Sequence, residues 1–147
     1  MKNLIVILVV LVSQSFNSVD AQNIWKGGTP GQETEWNLAK NWSENRVPDW
    51  TEDVIIADVS TNSGYFPIID KEIEPIAHLE IQSNATLTIL PQGKLMIDGM
   101  STFNTGITLI GKIDIDGDLE VKNTALNAIE NLSGAPLSDK RGIAKLR

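Results

Sequence analysis

From Leu79 to Val121 nearly every large apolar residue stands at an odd-numbered position: Leu79, Ile81, Leu87, Ile89, Leu95, Ile97, Phe103, Ile107, Leu109, Ile113, Ile115, Leu119 and Val121. The even positions are mostly polar or charged, with Leu90, Met96, Met100 and Ile110 as exceptions. A period of two means extended chain with one buried face, and no helix can satisfy it. The inward phase also survives every corner, where Gly93, Gly99, Gly111 and Gly117 or polar pairs such as Ser83-Asn84 separate the apolar pairs. Hairpin turns usually place two to five residues outside the alternation and reset its phase. The pattern therefore predicts an all-β fold, a short parallel β-solenoid (β-helix), with a compact antiparallel sandwich or roll as the alternative.

At three strands per turn, a rung takes roughly 18 to 24 residues, so residues 64–122 make about three rungs. A stack this short leaves its core open at both ends, and open strand edges invite aggregation unless covered. The preceding segment, residues 22–63, holds all four tryptophans: Trp25, Trp36, Trp42 and Trp50. Burying one indole gains about 4–6 kcal/mol gross. We therefore expect this segment to be a Trp-rich N-terminal cap on the first rung. The competing reading is a sugar-stacking platform, with Trp36 and Trp42 as the rings and Glu35 and Asn41 as adjacent hydrogen-bonding groups.

Residues 1–21 form an export signal: Lys2, an apolar run from Leu4 to Val12, then Val19-Asp20-Ala21 before Gln22. The run is too short for a bilayer, so no membrane span is expected after signal cleavage, and the protein is expected to be secreted (periplasmic, cell-surface or extracellular). Without cysteine, disulfides are excluded. The net charge of −7 argues against nucleic acid, which needs clustered cations. Residues 123–147 lose the alternation and read as a partly disordered tail. Thr124 to Asn131 is a candidate short helix, and Lys140, Arg141, Lys145 and Arg147 make a basic end.

Trp25-Lys26-Gly27-Gly28, Glu35-Trp36-Asn37, Ala39-Lys40-Asn41-Trp42, Val47-Pro48 and Asp53-Val54-Ile55-Ile56, then Phe66-Pro67-Ile68-Ile69 and Ala85-Thr86-Leu87-Thr88-Ile89, form a recognisable succession. It resembles the opening module of secreted cell-surface and adhesin-like proteins of the Bacteroidetes. In these proteins a W-x-G, W-x-x-A-x-N-W, V-P module leads into β-helix repeats. The resemblance implies export, a parallel β-helical scaffold and a surface or extracellular role. The carboxy-terminal APLSDKRGIAKLR does not look like the sorting domain that ends many such proteins.

Asp114, Asp116 and Asp118 share the outward face and are candidate calcium ligands. Same-face residues on an extended strand nevertheless lie nearly 7 Å apart, and the glycine expected of an EF-hand loop is displaced. A solvated acidic face is the competing account, and no cofactor is otherwise expected. His78, the lone histidine, is expected at a solvated edge, and neither a nucleophile pattern nor a zinc set accompanies it. The expectation is a non-catalytic structural or adhesin-like protein whose partners are a polysaccharide or a surface protein. A carbohydrate-binding module is the alternative, and the remnant of a larger polysaccharide-active β-helix enzyme the third reading.

Overall fold

A computed structural model describes residues 22–98, 105–122, 127–132, 138–139 and 145–146. Among them the strands are β1 (Gln22–Ile24), β2 (Asp53–Ile56), β3 (Ile68–Ile69), β4 (His78–Ile81), β5 (Thr86–Ile89) and β6 (Lys94–Ile97). They continue as β7 (Thr105–Leu109), β8 (Lys112–Ile115), β9 (Asp118–Val121), β10 (Asn127–Asn131), β11 (Ser138–Asp139) and β12 (Lys145–Leu146). Helix is confined to one 3-10 turn, Ala39–Asn41, among the described residues. The chain is all-β, as the period of two requires.

Three sheets form, ordered β1-β2-β4-β7-β10, β11-β8-β5-β3 and β12-β9-β6. Every paired strand is parallel to its neighbour. The successive strands β4, β5 and β6 each lie in a different sheet, and β7, β8 and β9 visit the same three in the same order. Register sets aliphatic on aliphatic: Val54, Leu79, Ile107 and Ile129 align, as do Leu87 with Ile113 and Leu95 with Leu119. Slipping any strand by one residue would turn these side chains to solvent, so the hydrophobic pattern itself fixes the register. Paired residues lie 28 positions apart at Leu79 and Ile107, 26 at Leu87 and Ile113, and 24 at Leu95 and Leu119. The first two exceed the spacing expected from sequence, because they span one or both of the four-residue corners 82–85 and 90–93, where the later corners 110–111 and 116–117 take two residues.

The inward side chains form one buried core from Trp25 to Val121. The even-numbered Leu90 and Ile110 fall at corners and are exposed, which explains why they break the alternation. Gly117 is buried where the chain turns between β8 and β9, and a Cβ there would meet the carbonyl oxygens of Gly93 and Leu90.

One end of the sheets has its edges occupied by other segments of the chain. Beside β1, Trp25 and Trp42 form an antiparallel bridge and Ser43 N donates to Ile24 O at 2.9 Å. Beside β3, Ile68 N donates to Thr34 O at 3.0 Å. Beside β6, Glu72 and Ile76 form parallel bridges to Lys94 and Ile97.

Some expectations change. Asn127–Asn131 is not helical but a strand paired with β7. In the segment read as a tail, β11 and β12 pair with β8 and β9. His78 is not solvated: it is 1% exposed, with Nδ1 2.8 Å from Thr105 O. The export signal, Gly99, Met100 and Phe103 lie outside the described residues.

Candidate functional site

Three of the four tryptophans are interior. Trp25 and Trp36 are 1% exposed and Trp42 is 0% exposed. Trp42 sits between the other two, edge to face, with ring centroids 4.9 Å from Trp25 and 4.7 Å from Trp36. Such T-shaped pairs set the positive edge of one ring against the negative face of the next. Trp42 Nε1 donates to Trp36 O and Trp25 Nε1 to Tyr65 O, both at 2.8 Å, so two indoles meet their polar requirement inside the core. Gly27, at φ +60°, packs beneath the second of these bonds; a Cβ there would strike Tyr65 O and Trp25 Nε1. That accounts for the glycine two residues after Trp25.

Asn41 organises the turns around the rings. It is fully buried, accepts from Thr29 N at 3.1 Å, and donates through Nδ2 to Gln32 O at 2.8 Å and Glu35 O at 3.0 Å. Its own carbonyl accepts from Lys26 N and Gly27 N. Trp36, Asn41 and Trp42 thus serve the interior. The stacking platform of the competing reading, at Trp36 and Trp42, has no open ring face, because both rings are buried and pack on each other. Asn41 has committed its amide to backbone, and Glu35 lies at the surface, 3.5 Å from Lys71 Nζ.

Trp50 differs, with 52% of its surface exposed. It occupies a turn closed by Glu52 N donating to Asp49 O at 3.1 Å. Asp49 Oδ1 accepts from Thr51 N at 2.9 Å and Thr51 Oγ1 at 2.7 Å, which holds the Asp49 carboxyl below its ordinary value. Beneath the turn, the buried Glu52 carboxylate pairs with Arg46 Nη2 at 2.6 Å and accepts from Asp49 N at 3.3 Å. Asn23 Nδ2 donates to Arg46 O at 3.0 Å, tying β1 to the same loop. Burial pushes the Glu52 carboxyl up, with Arg46, the bond from Asp49 N and a 3.5 Å bond from Asn23 Nδ2 to Glu52 Oε2 opposing. Arg46-Val47-Pro48-Asp49 reads as a turn in the sequence, but neither the exposure of Trp50 nor the bonds that pin that turn were legible there.

The three aspartates do not converge. Asp114 lies on β8 and Asp118 on β9, in different sheets, with Asp116 at the corner between. Lys112 Nζ takes Asp114 at 2.8 Å. Among the described residues no three His, Cys, Asp or Glu side chains form a metal-binding group. Nor is any helix among these residues long and apolar enough to cross a membrane.

No family model and no solved structure matches the chain. Over 83 residues it is 31% identical to the minor fimbrium subunit Mfa5 of Porphyromonas gingivalis. The similarity covers 53% of this chain but only 7% of the length of that protein.

Proposed function

We propose, from this similarity to a fimbrium subunit and from the parallel sheets, that the protein is a secreted, non-catalytic structural protein of the cell surface or extracellular matrix. Its strands are read as the rungs of a short β-solenoid, and residues 22–63 as a Trp-rich cap over the first of them. The observation that carries this reading is the treatment of the sheet edges. At the end nearest β1, each of the three edges carries hydrogen bonds or bridges from loop segments between Trp25 and Ile76. Covered edges suppress unwanted pairing with other chains, as an exported scaffold without disulfides requires.

The test is cell fractionation of the producing bacterium, with protease shaving of intact cells and an antibody to residues 22–147. Recovery in the medium or as a shaving-sensitive surface species is expected. Recovery in the cytoplasm with residues 1–21 still attached would overturn the reading. Turnover of a uronic polysaccharide by the purified protein would overturn its non-catalytic part.

A further inference from the structure

We propose that Trp50 is a contact point for a neutral glycan, its indole face stacking on the CH face of a pyranose ring. Trp25, Trp36 and Trp42 are accounted for by the core, whereas Trp50 contributes little to it and leaves half its surface in water. Exposure alone says little, since single apolar side chains are common on protein surfaces. What sets Trp50 apart is exposure on a turn whose backbone is held. Its turn is held by the Asp49–Glu52 backbone bond, by two bonds from Thr51 to Asp49, and from below by the Arg46–Glu52 ion pair. A backbone held in place before binding leaves only the side-chain torsions to order when the ring binds.

The surroundings favour a sugar over a protein. Glu44, Asn45, Arg46 and Thr51 are exposed on the same segment, and the Arg46 and Asp49 side chains are 47% and 44% exposed. These groups can donate to and accept from hydroxyls. Among the described residues the other exposed large apolar side chains are Tyr65, Leu90, Ile110 and Leu132, all on other segments. A protein hot spot is usually ringed by further contacts that exclude water; this ring has polar neighbours. Glu44, Asp49 and the overall charge of −7 repel uronates and other polyanions, which leaves neutral glycans.

The test is a titration of the indole N–H resonances of the purified protein, assigned with Trp50→Phe. The probes are hexasaccharides of β-linked glucose, xylose, mannose and N-acetylglucosamine, with iodide quenching of emission read in parallel. At least one sugar is expected to shift the Trp50 resonance saturably and cut quenching by about twofold or more, because it covers the one open indole. Trp50→Ala is expected to keep the wild-type melting temperature and lose the sugar response. No saturable shift with any of the four sugars overturns the proposal. So does a sugar-induced shift of other resonances that persists in Trp50→Ala.

Discussion

Glu52 is a buried carboxylate whose cationic partner among the described residues, Arg46, is half in water. Desolvation raises its pKa above the ordinary 4.5, outweighing Arg46 and the bonds from Asp49 and Asn23. A carboxyl with a raised folded pKa binds its proton more tightly folded than unfolded. Stability from this group therefore grows as pH falls from neutral through the folded pKa, and levels off near 4.5. Asp49, Glu33 and Asp58 act in the opposite sense. Hydrogen bonds lower their pKa values, so their contribution is present above the ordinary values and is lost as pH falls through the folded ones. The melting temperature is expected to rise on mild acidification from pH 8 and fall only in stronger acid. Glu52→Gln is expected to melt higher than wild type at pH 8 and to flatten that slope, since Arg46 can return to solvent at little cost. A Glu52→Gln protein that melts lower at pH 8 would show the ion pair to be net stabilising. Asn41→Ala removes three part-buried side-chain hydrogen bonds, leaving Gln32 O and Glu35 O their backbone donors, for an expected loss of about 1–3 kcal/mol in denaturant unfolding. Asparagine is usually exposed, and the carbonyls that Asn41 joins meet only after the turns have formed. Its role was therefore not legible in sequence, whereas the size of the indoles pointed all four tryptophans inward, and Trp50 alone departs from that.

At the scale of the element, alternation identified β4 to β9 well, because each places two aliphatic residues two apart. It failed for β10, where Ile129 is the only large aliphatic in Asn-Ala-Ile-Glu-Asn, and that strand depends on its neighbour β7 instead. The corner glycines were read as small residues fitting an inward slot, and the structure adds the reason at Gly117: carbonyl oxygens of the adjoining corner occupy the space a side chain would need. Gly117→Ala is expected to cost about 1–3 kcal/mol through overpacking, with an unchanged denaturant m-value. A neutral outcome would mean that the corner yields. The candidate calcium set is a question at this same scale, because the corner puts Asp114 and Asp118 on different sheets. Adding millimolar calcium, or a chelator, is expected to leave the melting temperature unmoved; a calcium-dependent rise would restore the site.

At the scale of the whole molecule, stability without disulfides rests on aliphatic columns repeated through three parallel sheets. Parallel ladders join residues far apart in sequence, so the loop-closure cost is high and slow folding is expected. The edges near β1 are occupied by the Trp-bearing loops and their neighbours, which connects a local motif to the integrity of the stack. All of this depends on strand direction, and because the chain contains no cysteine, introduced pairs report on it directly. Thr86 faces Lys112 and Thr88 faces Asp114 across β5 and β8. Neighbouring strands place such pairs about 4.8 Å apart, within disulfide range. Under mild oxidation, the double variants Thr86→Cys with Lys112→Cys and Thr88→Cys with Asp114→Cys are expected to cross-link within one chain. The exchanged pairs, Thr86→Cys with Asp114→Cys and Thr88→Cys with Lys112→Cys, are expected to stay reduced. Cross-linking of the exchanged pairs in place of the first two would mean antiparallel strands and would contradict the parallel stack.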